Sequence, residues 1–286
     1  MTPHREKALR ELLAFYAEAG VDALVGEAPV NRFGGEQQSA PSPLAGEGWG
    51  GGSPKAGAED SPPTLSLPRK GGGNEVGTVS APPPSPDAAV MAAREAARNA
   101  PSLEALRDIL LSFEGCALRT TAKQLVFADG TPGSRVMFVG EAPGRDEDLE
   151  GLPFVGRSGK LLDRMMAAIG LDRSRAYIAN IIPWRPPGNR TPTPQESAIC
   201  LPFTSRQIEL AAPDILVCLG GPAAQALLGV REGILKTRGR WLSCQAGSRT
   251  IRAIATLHPA YLLRQPLQKR LAWRDFLAIK KALDEA

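Results

Sequence analysis

Histidine is scarce in this chain of 286 residues, with only His4 and His258 present. The four cysteines, Cys116, Cys200, Cys218 and Cys244, are too few and too scattered for a disulfide framework. They suit reduced thiols or metal ligands, and a reducing compartment. No run of about eighteen apolar residues occurs, which excludes a membrane-crossing helix read from hydropathy. The start, MTPHREKALRELLAFYAEAG, is charged and amphipathic and does not read as a signal peptide. The expectation is a cytoplasmic protein of the bacterial-cytosol kind, without membrane partners. The charge excess is also small, +4, with a pI near 9.0. That suits a polyanionic partner but is common in proteins that never meet nucleic acid, so charge decides nothing.

Glycine and proline are plentiful, 30 and 26 residues, and they are unevenly spread. Within residues 1–33, Leu9, Leu12, Leu13, Tyr16 and Ala17 recur at helical spacing, which predicts one amphipathic helix. Residues 34–86 are dominated by Gly, Pro and Ser, cannot bury enough surface to offset their ordering entropy, and read as a disordered linker. Trp49 inside it is incidental. Residues 87–286 form the catalytic domain of this reading. Helices are expected from Asp87 to about Arg98 and from Ser102 to about Ser112, each behind a plausible N-cap. From Gln124 onward the β-rich runs QLVFA, RVMFVG, AYIANII, DILVCLG and IRAIATL alternate with helical stretches near 157–170, 194–211, 221–229 and 267–284. Alternation of this kind predicts an α/β fold: a three-layer α/β/α sandwich with a central, mostly parallel four-stranded sheet, and N-terminal helices. Sites in such folds lie beyond the carboxyl ends of the strands.

Three long motifs stand at those ends. In VMFVGEAPGRDEDLEGLPFVG, a buried strand runs into a loop whose Gly140 and Gly144 permit a sharp turn and close approach to a ligand. The same loop carries Phe154 in the segment Gly151 to Gly156. In YIANIIPWRPPGNRTPTP, Asn180 offers a donor and an acceptor, the complement of a pyrimidine edge, ahead of a Pro-stiffened turn bearing Arg185, Asn189, Arg190 and Thr191 as phosphate-binding groups. In ATLHPAYLLRQP, His258 follows an apolar strand and precedes Leu262, Leu263 and Arg264. These describe an intercalating leucine and a DNA-facing arginine. Taken singly, each motif has an ordinary structural reading: a nucleotide-fold turn, a turn-capping Asn, a satisfied histidine beside a strand.

In this order, from about Gly115 to the C-terminus, the motifs resemble the signature segments of the family-4 uracil-DNA glycosylases of the uracil-DNA glycosylase superfamily. The resemblance implies an enzyme that flips uracil out of DNA and hydrolyses its N-glycosidic bond, with uracil-containing DNA as partner and a monomeric chain. It carries the uracil pocket onto Glu141, Ala142, Gly144, Glu147, Phe154, Asn180 and His258. Phe154 would stack on the base and Asn180 would read its edge. His258 would donate to the anion that forms as the base departs. Ala142 stands where family-1 relatives carry a water-activating Asp, so that task would fall to Glu147 or Glu141, with Glu147 favoured. No histidine lies in PWRPPGNRTPTP, where a covalently trapping branch carries one, so hydrolysis with turnover is expected. The alternatives are a catalytically silent DNA-damage-binding protein of the same fold and an enzyme acting on free nucleotides.

The chain departs from the family in one respect. The resemblance implies a 4Fe-4S cluster on four cysteines, because each iron of the cube needs an outside ligand. Here Phe113 and Trp184 stand at two of the four positions and only Cys116 and Cys200 remain. Cys218 falls inside an apolar strand and Cys244 in a distant loop. The expectation is a chain without a cofactor, in which Phe113 and Trp184 fill the cluster's volume by apolar packing.

Overall fold

The computed structural model describes residues 85–285. The predicted helix within residues 1–33 and the linker up to residue 84 lie outside them.

Three helices come first: α1 (Pro86–Arg98), α2 (Leu103–Ser112) and α3 (Leu118–Thr121). Ser85 and Ser102 cap α1 and α2, each hydroxyl accepting from an amide three residues on. The predicted linker therefore overlaps the cap and first residue of α1. The chain then alternates: β1 (Asp129–Gly130), β2 (Val136–Gly140), α4 (Arg145–Glu150), α5 (Arg157–Ala167), β3 (Tyr177–Asn180), α6 (Pro194–Ala211), β4 (Ile215–Leu219) and α7 (Gly221–Leu228). It closes with α8 (Ile234–Thr237), β5 (Trp241–Ala246), β6 (Arg249–Thr256), α9 (Pro259–Arg264) and α10 (Lys269–Glu285).

One six-stranded sheet runs β1-β3-β2-β4-β6-β5. Its four central strands are parallel, as expected, and an antiparallel strand is added at each edge. Two strand assignments change. QLVFA is not a strand: Val126 donates its amide to the carbonyl of Pro183 at 2.8 Å, and pairing begins only at Asp129. β5 escapes the period-two reading because its outward residues are mixed and its alternation is short.

The central strands are apolar on both faces because both faces are covered. Met137 and Val139, Leu216 and Cys218, Ala253 and Ala255 point into a core shared with α1, α2 and α6. Their neighbours Val136 and Phe138, Ile215 and Val217, and Ile254 point into a second core completed by Leu162 and Met166 of α5 and Phe276 and Ile279 of α10. This period-two division between two cores is the three-layer sandwich. The carboxyl end of β6 is further tied down by a buried polar cluster. Thr256 donates its hydroxyl to Asp275 of α10 at 2.6 Å, and Arg238 grips the same carboxylate while donating to the carbonyl of Leu271.

Candidate functional site

Parallel register brings the motif residues together. Gly140 ends β2 directly abreast of Asn180 at the end of β3, and Leu219 at the end of β4 faces Thr256 at the end of β6. All four strands thus deliver their loops to one edge of the sheet. The cleft there has a volume of about 580 Å³.

Gly140 is required by its neighbours. A Cβ at this position would lie 2.5 Å from Asn180 Oδ1 and 2.6 Å from the Phe154 ring, so any larger residue would drive those two side chains apart. Gly220 adopts φ +95°, and a Cβ there would stand 3.1 Å from the Cβ of His258.

Glu141, Ala142, Gly144, Glu147, Phe154, Asn180 and His258 all line this cleft, as do Asn189, Arg190 and Arg264 from the other two loops. Phe154 and His258 face each other with ring centres 5.6 Å apart. Asn180 is buried, and its Oδ1 has no hydrogen-bond partner among the described residues. Such an orphaned acceptor costs about 1–3 kcal/mol of stability unless something satisfies it.

His258 is the N-cap of α9, with Pro259 in the first helical position. Its Nδ1 accepts from the amide of Ala260 at 3.1 Å, so the ring proton of the neutral imidazole sits on Nε2. Burial, reinforced by the positive charge of Arg264, pushes its pKa down to about 4. The imidazole is therefore neutral at physiological pH, a donor through Nε2 alone.

The two glutamates differ. Glu147, 7% exposed, is fully engaged: Oε2 accepts from the amide of Gly144, and Oε1 accepts from the amides of Val155 and Gly156, at 3.0–3.1 Å. It stitches the first loop to the Phe154 turn. Both oxygens of Glu147, the favoured water activator of the sequence reading, are thus already engaged by backbone amides. Glu141 is half-buried, and burial raises its carboxyl above the ordinary range.

The outer residues are placed differently from one another. Leu262, one of the two leucines read as a wedge, is 1% exposed and packs with Leu257 and Ala272, whereas Leu263 is exposed. Arg190 is held by both oxygens of Glu196, and Arg185 donates to Asn189 Oδ1 at 2.7 Å with Asp148 close by. Arg185 and Leu262 do not line the cleft. The reading also missed Ser158, Gly220 to Pro222 and Ile234, which do. Strand-end glycines in LGGP were a usable signal for the second group, whereas Ser158 and Ile234 lie in segments with no distinguishing pattern.

The fit of an iron-sulfur cluster can be judged from the residues at its expected position. Cys116, Trp184 and Cys200 are buried in one core, with Phe113 packed against it and set edge-on to Phe203 at 4.9 Å between ring centres. The Cys200 thiol is pushed well up by its hydrogen bond with Cys116 and by burial. Cys218 and Cys244 lie on β4 and β5. Among the described residues no group of three or more His, Cys, Asp or Glu side chains could hold a metal. Two thiols and two aromatic rings do not meet the needs of a cube with four irons. Purified protein is expected to lack the broad absorption near roughly 400 nm of such clusters. A stable brown protein with stoichiometric iron would contradict this.

The family model described as the uracil DNA glycosylase superfamily matches residues 127–277. The chain belongs to this superfamily. It is 40% identical to the type-4 uracil-DNA glycosylase of Archaeoglobus fulgidus over 184 residues, which are 62% of this chain and 92% of that protein. It is 39% identical to the type-4 uracil-DNA glycosylase of Thermotoga maritima over 163 residues, 57% of this chain and 83% of the relative. The same enzyme of Sulfurisphaera tokodaii is 36% identical over 185 residues, 63% of this chain and 84% of the relative. Within the superfamily the similarity is thus to the type-4 branch.

Proposed function

We propose that this chain is a DNA-repair uracil glycosylase: it takes uracil flipped out of DNA into the cleft, hydrolyses the bond to the sugar, and leaves an abasic site. As a member of its family it is an enzyme, a hydrolase of N-glycosyl bonds. The observation that carries the substrate reading is the buried Oδ1 of Asn180, without a hydrogen-bond partner among the described residues, in the cleft that Phe154 and His258 also line.

In this reading uracil stacks on Phe154, its N3–H donates to Asn180 Oδ1, and the Asn180 amide donates to uracil O4. Cytosine presents an acceptor at N3 and a donor at the exocyclic amine, the reverse pattern. Each mismatched pair costs about 1–3 kcal/mol, so the site rejects it. Ala142 and Gly144 shape the pocket wall. As the C1′–N1 bond breaks, its electron pair stays on the base, and the Nε2–H of neutral His258 donates to the uracil oxygen where that charge collects. Water forms the new bond to C1′ and gives up its proton to Glu141, the half-buried carboxylate that is not committed to backbone amides.

Arg264 and Asn189 at the mouth serve the phosphates, with Arg185 steadying the Asn189 turn, and Leu263 takes the wedge position. Among the described residues no helix is long and apolar enough to cross a membrane; the reading is of a cytoplasmic monomer acting on DNA.

The test is incubation with oligonucleotides bearing one uracil, thymine or cytosine, followed by alkali. Strand cleavage only at uracil is expected. Retained DNA binding with no cleavage would favour a silent damage reader, and cleavage at all three bases would remove Asn180 from its selecting role.

A further inference from the structure

Phe154 holds its ring in place at the expense of its backbone. Its φ is +56°, in the left-handed region that residues with a Cβ rarely enter. Glu147 holds the turn from the cleft side through the amides of Val155 and Gly156, and a second group holds it from outside. The carbonyls of Pro153 and Phe154 both accept from the guanidinium of Arg173, the Pro153 contact at 3.1 Å. Arg173 lies in a short 3-10 turn, Arg173–Arg175, ahead of β3, and does not line the cleft. It is fixed in turn by Asp129 of β1 and by Asp163 of α5, whose Oδ1 is 2.9 Å from Nε. On its other side the Phe154 carbonyl presses on Gly159 of α5, where a Cβ would collide with it.

We propose that Arg173, braced by Asp129 and Asp163, is the positioning residue that locks the left-handed turn and so aims the Phe154 ring into the cleft. The proposal rests on the reading that Phe154 stacks on the extruded base. One planar fork with donors on three nitrogens serves two carbonyls and two carboxylates at once, which the point charge of a lysine cannot do. Arg173→Lys should therefore fail to rescue.

The experiment is a double-mutant cycle on kcat/KM for a uracil-containing oligonucleotide, using Arg173→Met, Phe154→Ala and the pair, with Arg135→Met as control. Arg135 likewise pairs with a carboxylate, Asp214, and a carbonyl, that of Leu283, away from the cleft, and its loss should change kcat/KM by less than about twofold. Base–aromatic stacking predicts that Phe154→Ala costs roughly 5- to 150-fold. Arg173→Met should cost at least about fivefold, Arg173→Lys nearly as much, and the double variant no more than Phe154→Ala alone. If Arg173→Met does not fold, Asp163→Asn takes its place in the cycle, with a smaller loss that Phe154→Ala again absorbs. Multiplying losses, or a fully active Arg173→Met, would overturn the proposal. A Phe154→Ala protein as active as the native one would instead remove the stacking role and the proposal with it, and an inactive native protein would mark failure of the glycosylase reading itself.

Discussion

Replacing His258 by alanine is expected to slow uracil release by about 10²–10³-fold, the usual cost of removing one preorganised donor to a developing anion. The loss should fall on the chemical step, because the imidazole contributes most when charge gathers on the departing base. The pH dependence follows from its pKa of about 4. A neutral Nε2–H donor is present throughout the physiological range, so His258 should impose no inflection on the rate between about pH 5 and 8. An acid limb within that window would belong to Glu141, raised by burial, and should vanish in Glu141→Gln. Stability carries a second signature. A histidine depressed in the folded state takes up its proton first in the unfolded chain. Its neutral burial is therefore tolerated fully above the ordinary value of 6.5, and stability is lost as pH falls from there toward about 4. Thermal melts of native protein and His258→Ala across this window should diverge, with the variant the less acid-sensitive. Parallel curves would show that the imidazole is not buried neutral.

Asn180→Leu should abolish measurable selection and lower kcat/KM by at least about 100-fold, since both hydrogen bonds to the base edge go at once. The same change should leave Tm unchanged or raised. Asn180 buries an acceptor that none of the described residues satisfies, and a leucine of similar volume removes that penalty. Most replacements of buried residues destabilise. A gain or neutrality in Tm together with the loss of activity is the mark of a residue kept for its ligand. A large fall in Tm would show that Asn180 is structural after all.

Much of this was legible because the site sits where local signals are strongest. Strand-end glycines, a proline after His258 and a Pro-stiffened loop after Asn180 each announce a turn, and parallel pairing of β2, β3, β4 and β6 then brings three distant loops to one edge. Spacing could rank neither Glu141 against Glu147 nor Leu262 against Leu263. Those choices depend on which carboxylate meets the amides of Gly144, Val155 and Gly156, and on which leucine turns toward Ala272 when α9 forms. Arg190 was read as a phosphate-binding group without its partner, because Glu196 belongs to the next helix, where it also completes a capping box with Thr193. Arg173 was invisible for a related reason: its contacts reach 10 to 44 residues along the chain, and nothing in Arg173-Ser-Arg marks it.

The most direct measurement is a crystal structure of the protein soaked with free uracil. The account predicts the base in the cleft, its face on Phe154, its imide edge paired with the Asn180 amide, and one of its oxygens within hydrogen-bonding distance of His258 Nε2. Uracil bound elsewhere, or lying in the cleft with Asn180 Oδ1 still unpaired, would contradict it.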